Sequence, residues 1–490
     1  MNTTRPRTSH PWLSLLVGII VGAVALLVLG PRPAGLGTPT GNPALARDAS
    51  AALASARNVE TISVARIRDG HASWAGFGEV SPDSRYELGS ITKTFDGLLL
   101  ADAAQRGEVR LDDPLESHLT ELAGTEVGST TLAELVSHRA GLPSLISLDM
   151  VRLVAEDLAG AALSAYTTAT PDQVIRDSAA VKLSGRGTMQ YSNVGASLLG
   201  FALARAAGAP DWATYVRARL LEPLGMHDTS VGEPGRPSSD LMPPHQGLGS
   251  PTEAWTGSGY APAGLGVTTT AADLTRYAQA ILDGTAPGVE ALDARWPAMM
   301  GWQIGLAWIV TDTEEGPVAW HNGGTGGTRT VLAIDRSRGQ AALVLNNSTQ
   351  DVTGAGMDLM GTPFDDSVAL PPFDTDTVAW VGVGALLTLL FSVGAVRGRS
   401  RARILGQGLA AAGALLLWWI AAPWDWAAPW VFGAAAGLTL AATMVTARRW
   451  AHLPWMPQRW RPGTVITLAL GGAWLAAMVT LALWVATLAP

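Results

Sequence analysis

The last quarter of this chain constrains it most. Beyond residue 376 lie four apolar runs, at about residues 377–396, 404–422, 428–446 and 464–488. Each is long enough to cross the hydrocarbon core of a bilayer as a helix. None contains Asp, Glu, Lys or Arg, and a proton relay or ion path usually needs one. These helices are therefore expected to anchor rather than transport. A fifth run, residues 12–30, follows Arg5 and Arg7. It reads as a signal-peptide core or, at its length, as an uncleaved signal anchor. Segment 397–403 carries Arg397, Arg399, Arg401 and Arg403, and segment 447–462 carries Arg448, Arg449, Arg459 and Arg461. The turn between the second and third runs holds only Asp425. Arginine-rich loops stay on the cytoplasmic side. The expected topology puts the N-terminus and both Arg-rich loops inside, and residues 31–375 and the C-terminus outside. Trp418, Trp419, Trp424 and Trp426 are expected to form an aromatic belt at the outer edge.

Between the ends the chain reads differently. Residues 31–54, rich in Gly, Pro, Thr and Ala, read as a linker, residues 55–365 as one folded domain, and residues 366–376 as a second linker. The formal charge is −8 and no basic stretch is continuous enough for a nucleic-acid face. Cysteine is absent, which excludes disulfides, thiol nucleophiles and zinc–cysteine sites. Val59–Arg68 and Ala72–Phe77 pattern as a hairpin around Asp69-Gly70. Ser90–Arg106, Ser192–Ala207 and Asp211–Leu221 have helical spacing. Val331–Asp335 and Ala341–Asn346 pattern as a second hairpin. Strands at both ends with helices between predict one sheet built from the two ends, with a helical insert.

The chemistry begins at Ser90-Ile91-Thr92-Lys93. Of 33 Lys and Arg residues only two are lysines, Lys93 and Lys182, so a chance Ser-x-x-Lys is improbable. Positions i and i+3 share a helix face. A lysine taken out of water can become neutral and accept the serine proton, which arginine cannot do. Tyr191-Ser192-Asn193 supplies a phenol whose pKa a nearby ammonium could lower, and an amide able to donate and accept. His321-Asn322-Gly323-Gly324-Thr325-Gly326-Gly327 follows the apolar Val318-Ala319-Trp320. A strand edge bare of side chains there would let a substrate backbone approach and an N–H meet an oxyanion.

In this order the three motifs resemble those of the serine β-lactamase and penicillin-binding-protein superfamily, above all its class C β-lactamase, D-alanyl-D-alanine carboxypeptidase and esterase branch. The resemblance covers about residues 55–350 and includes Leu111–Leu115, Leu135–Pro143 and Leu221–Met226. It implies an α/β fold: an antiparallel sheet flanked by helices beside an all-helical subdomain, with the site between them. The four apolar runs would add a transmembrane bundle. The resemblance further implies that Ser90 is the acylated nucleophile and that Lys93 and Tyr191 move its proton. Asn193, His321, Gly323 and Gly324 would bind substrate, with the Ser90 and Gly324 N–H groups as oxyanion donors. The implied substrate is a small molecule or cell-wall peptide, and the implied location a bacterial plasma membrane with the catalytic domain extracytoplasmic. One departure stands out: β-lactamases usually carry Lys-Thr-Gly where this chain has His321-Asn322-Gly323. A histidine is mostly neutral at pH 7, which weakens the reading as a β-lactamase.

No cofactor is expected. The eight histidines are scattered without metal-ligand spacing, and no Gly-x-Ser-x-Gly elbow is present. His138 is a second candidate base but reads better as structural. Two other readings stand beside the hydrolase: a sensor that binds peptidoglycan or antibiotic with little turnover, and a membrane protein whose activity lies in its helices.

Overall fold

The computed structural model describes residues 16–18, 20, 22, 24, 35–54, 56, 59–146, 164–232, 236–245, 252–362, 375–421, 428–456 and 462–488. They belong to two units. Residues 34–369 make one; the C-terminal helices and the N-terminal helical residues make the other.

In the first unit a nine-stranded sheet runs in the order β1-β3-β2-β12-β11-β10-β9-β8-β7. Its strands are β1 (Pro39–Gly41), β2 (Ile62–Arg68), β3 (His71–Phe77), β7 (Trp296–Pro297), β8 (Gln303–Ile304), β9 (Ile309–Thr313), β10 (Gly316–Gly324), β11 (Arg329–Asp335) and β12 (Gln340–Asn346). A small second sheet joins β4 (Arg85–Glu87), β6 (Val267–Thr270) and β5 (Ser230–Val231). Both expected hairpins form. Asp69 and Gly70 have φ of 53° and 73°, the left-handed pair that a two-residue turn between twisted strands requires. Antiparallel pairing of β2 with β12 closes the sheet from the two ends of the domain, as the strand pattern predicts.

Alternation divides the sheet between two cores. Ile62, Val64, Val331, Ala342 and Val344 face one apolar cluster, and Ala65, Ile67, Leu332, Leu343 and Leu345 face the other. Helices cover both faces, so β12 reads as an unbroken apolar run rather than an alternating one. Part of the stretch expected as the 31–54 linker is folded instead. β1 pairs with β3, and the helix Pro43–Ala52 buries Leu45, Ala46 and Ala49 on the sheet. Asn42 caps that helix and Pro43 starts it, both favourable at a helix N-terminus. The helical subdomain contains Leu132–Val136, Pro171–Ser178, Asn193–Ala206 and Trp212–Val216, joined to the second core.

The second unit holds helices Thr375–Val396, Arg401–Ala421, Ala428–Trp450 and Pro462–Leu488. Among the described residues, two stretches are long and apolar enough to cross a membrane: Val431–Trp450 and Val465–Leu483. Glycines allow close helix contacts. Gly18 and Gly22 lie against Gly437 and Gly433, and Gly406 lies against Gly471, the small-residue packing typical of helices in lipid. Arginines tie the Arg-rich segments together. Arg449 donates to the carbonyls of Val396 (2.6 Å) and Gly398 (3.2 Å), and Arg401 to those of Trp450 (2.9 Å) and Ala451 (3.2 Å). These are the orphan carbonyls of helix C-termini, where cations are favoured. The aromatic-belt expectation fails at Trp418, which is buried edge-on to Phe432 (5.6 Å) over the bare face of Gly384. Trp424, Trp426, Asp425, Arg459 and Arg461 lie outside the described residues, as does linker 366–376 up to residue 374.

Candidate active site

Ser90 lies in a single 3-10 turn, Gly89–Thr92, that runs straight into the helix Lys93–Gln105. Leu88 N–H donates to the Val267 carbonyl (2.8 Å), and Thr330 Oγ1 donates to the Leu88 carbonyl (2.8 Å). The turn that carries Ser90 is thus held by both sheets. Gly89 has φ 62°, a value that costs other residues about 1–2 kcal/mol. A Cβ on Gly89 would strike the Gly324 nitrogen, and one on Gly323 would strike the Leu88 carbonyl and lie 3.1 Å from the Ser90 nitrogen. Bare backbone at both glycines brings the Ser90 and Gly324 N–H groups to one corner.

Lys93 is only 1% exposed. Its Nζ donates to Ser90 Oγ at 2.9 Å and to the Ala263 carbonyl at 2.7 Å. It sits 4.8 Å from the centre of the Tyr191 ring. Burial pushes its pKa down to about 7, opposed by the charge of nearby Asp96. The Asp96 carboxyl, also buried, is pushed well above the ordinary range despite a 2.7 Å hydrogen bond from Trp212 Nε1. Both members of this pair are favoured in their neutral forms. The Tyr191 hydroxyl hydrogen-bonds Ser90, yet burial raises the phenol above its usual value. This reverses the expectation that a lysine ammonium would lower it: Lys93 loses its charge above about pH 7, well before the phenol ionises, so it stabilises little phenolate.

His321 is brought to the same place, its ring 6.4 Å from that of Tyr191. Its Nδ1 lies 2.6 Å from the Asn322 carbonyl; a carbonyl only accepts, so Nδ1 carries the proton. Burial, then the nearby Lys93 charge, lower its pKa to about 3. It therefore offers no positive charge at any ordinary pH. The His138 ring packs against that of Tyr191, tilted by 39° with centroids 4.5 Å apart. Its Nδ1 accepts the Ser192 N–H (3.2 Å) and its carbonyl accepts the Gln190 N–H (2.7 Å). The ring nitrogen that could act as a base is thus occupied. His138 cradles Tyr191 at a left-handed φ of 57°, in keeping with the structural reading.

Asn193 opens its helix behind the N-cap Ser192. Its Nδ2 donates to Tyr166 Oη (3.1 Å) and Ser144 Oγ (3.3 Å), while its buried Oδ1 has no partner among the described residues. Tyr166 stacks on Trp255 (5.3 Å) and meets Tyr260 edge-on (5.1 Å). On β10, residues 316–320 pair with β9, whereas His321–Gly324 pair only with β11. Their other edge has no strand partner among the described residues. An extended ligand can add there through backbone hydrogen bonds.

Ser90, Lys93, Tyr191, His321, Gly323 and Gly324 come together, while Asn193 reaches Tyr166 and Ser144. Sequence reasoning missed the Ala263 carbonyl, the aromatic wall of Tyr166 and Trp255, and the close approach of Gly264 to Gly89. A backbone carbonyl has no side-chain signature, and the wall residues lie in a single helical turn, Ser164–Thr167, and in a loop, neither long enough to show a repeat pattern. The segments 144–190 and 236–262, which carry Tyr166 and Trp255, fall partly outside the described residues.

The Beta-lactamase family profile matches residues 45–360, well over half of the chain. The chain therefore belongs to the β-lactamase family. Similar solved structures include a class C β-lactamase from Rhodobacter sphaeroides, at TM-score 0.55 and 22% identity, covering 64% of this chain and 99% of that one. Another is a β-lactamase/D-alanine carboxypeptidase from Pseudomonas syringae, at TM-score 0.56 and 19% identity, covering 66% and 100%. At such identities these establish the fold: a β-lactamase-like antiparallel sheet with helices. Among curated proteins, penicillin-binding protein 4 of Amycolatopsis lactamdurans is 28% identical over 296 residues, covering 55% of this chain and 73% of that protein. A β-lactamase of Pseudomonas fluorescens is 26% identical over 232 residues, covering 46% and 60%. The family match ends before the C-terminal helices.

Proposed function

We propose that the chain is a membrane-anchored, outward-facing serine hydrolase that cleaves an ester or amide through an acyl-enzyme on Ser90. The observation that carries this is the buried Lys93 Nζ at 2.9 Å from Ser90 Oγ. Neutral Lys93 takes the Ser90 proton as Oγ bonds to the substrate carbonyl carbon. The oxyanion is met by the Ser90 and Gly324 N–H groups. Tyr191, protonated and hydrogen-bonded to Ser90, gives its proton to the leaving oxygen or nitrogen as that bond breaks. Lys93 then returns its proton to Tyr191. In deacylation, water attacks the ester, its proton passes to the same pair, and Ser90 leaves protonated. Asn193 Oδ1, without a partner among the described residues, would accept a substrate N–H.

The neutral His321 favours substrates without a carboxylate at the third motif, such as esters and amide-capped peptides, over β-lactams. The membrane reading rests on the charge pattern of the loops and on the two apolar stretches. Membranes carrying the full chain are to be labelled with fluorescent fluorophosphonate and fluorescent penicillin. They are also to be assayed on nitrocefin, p-nitrophenyl acetate and butyrate, and D-amino-acid amides. Fluorophosphonate is expected to label wild type and not Ser90→Ala, with ester turnover exceeding nitrocefin turnover. An unlabelled wild type sinks the acyl-enzyme reading. A stable adduct without turnover favours the sensor.

A further inference from the structure

Glu87, on β4 three residues before Ser90, is a buried carboxyl that the proposed chemistry does not use. It is 2% exposed, and burial raises its pKa to about 7. Two other buried acids, Asp273 and Asp335, each have an arginine partner, Arg276 and Arg338. Among the described residues, the hydrogen bonds to Glu87 come from neutral groups. Trp255 N–H donates to Oε1 at 2.7 Å, and the hydroxyls of Thr325 and Thr328 donate to Oε2 at 2.8 and 3.1 Å. Burying a carboxyl against neutral donors alone is costly, and apolar residues of similar volume are often at least as stable. Such a group is best explained by what it holds in place.

What it holds are the two segments beside the reaction. Thr325 directly follows Gly324, the candidate oxyanion donor. Thr325 and Thr328 bracket the turn between β10 and β11, and Arg329 Nη1 ties the same turn by donating to the carbonyls of Thr325 (2.7 Å) and Thr328 (2.8 Å). Trp255 carries the ring that stacks on Tyr166, whose hydroxyl takes the Asn193 amide. β4 itself leads into Gly89-Ser90. We infer that Glu87 is a positioning residue that locks the Gly324 N–H and the Trp255–Tyr166 wall to the strand carrying the nucleophile. It touches no reacting atom. Its carboxyl sets the spacing between Ser90 and Gly324, so it acts on the transition state through the oxyanion and little on ground-state binding.

This inference rests on the acyl-enzyme reading, and one set of measurements separates the two. The full chain in detergent is assayed with p-nitrophenyl butyrate and fluorophosphonate as wild type, Glu87→Gln, Thr325→Val and the double variant. A glutamine amide cannot accept the hydroxyl that faces its nitrogen. Losing alignment of one oxyanion donor is expected to lower kcat by about 10–100-fold with KM unchanged, and to slow labelling equally. Thr325→Val is expected to act in the same direction, and the double variant to lose less than the product of the singles. A Glu87→Gln protein with wild-type kcat, or one changed only in KM, overturns the inference while wild-type labelling at Ser90 leaves the acyl-enzyme reading standing. No wild-type adduct overturns both. If Glu87→Gln fails to fold, Thr325→Val decides: lowered kcat at an unchanged Tm supports the inference, and wild-type kcat overturns it.

Discussion

Acidification should switch the nucleophile off, and the size of the effect follows from the lysine's burial. The Lys93 pKa moves from 10.5 to about 7. At about 1.36 kcal/mol per unit this is a bias of about 5 kcal/mol toward the uncharged amine. Lys93 is then about half neutral at pH 7, about one-tenth at pH 6 and about one-hundredth at pH 5. If its neutral form takes the serine proton, the rate constant for fluorophosphonate labelling climbs about tenfold per unit below pH 7 and levels off above about pH 8. His321, held near 3, does not titrate in this window. Glu87 does, at about 7, so the profile is repeated on Glu87→Gln. That variant is slower but keeps the same slope if Lys93 is the base. Lys93→Arg, which cannot deprotonate, abolishes labelling at every pH. A rate independent of pH from 5 to 8, or an inflection near the 10.5 of a solvated lysine, would refute the assignment.

Three more outcomes follow. The folded Lys93 pKa is depressed, so between about 7 and 10.5 the unfolded chain binds more protons and stability rises with pH. Below 7 the whole cost is present, and Lys93→Met, after losing two hydrogen bonds, is expected to gain about 2 kcal/mol and several degrees of Tm, read by tryptophan fluorescence at pH 7. An unchanged or lower Tm would show that burial of this amine is not costly. Gly323→Ala drives a Cβ into the Leu88 carbonyl and Thr330 Oγ1. The oxyanion corner must spread, and kcat is expected to fall about 100-fold with the protein still folded by circular dichroism. For topology, the absence of native cysteine leaves a clean background. In intact cells an impermeant maleimide should label Asp112→Cys, whereas Arg399→Cys should react only after permeabilisation; the reverse pattern would invert the proposed orientation.

Much of the site was legible because its chemistry lies in short, ordered strings. Ser90 and Lys93 share a helical turn, and that spacing alone puts an amine beside a hydroxyl. The Gly323-Gly324 pair announces a strand that something must approach, and the Asp69-Gly70 and Arg336–Gln340 turns announce the hairpins. Less legible was the stretch 31–54: a Pro- and Gly-rich composition masked β1 and a helix stabilised by packing on the sheet. Trp418 likewise reads as an interfacial residue until the bare face of Gly384 provides space to bury it. His138 offers no local signal, because its partners at Gln190, Tyr191 and Ser192 are some fifty residues away in sequence.

The sequence by itself determined the order of the motifs, the apolar helices at the end of the chain, the absence of thiol chemistry and the candidate nucleophile. These depend on residue type and on local spacing, which survive without a fold. Only the tertiary structure decided the charges. At Ser90–Lys93 the amine can shed its proton near neutrality because the core encloses the pair, while the Ala263 carbonyl holds it in place. His321 stays neutral even in acid for the same reason, and Tyr191 is pushed away from phenolate rather than toward it. Protonation depends on how far water is excluded by residues distant in sequence, and no spacing along the chain records that.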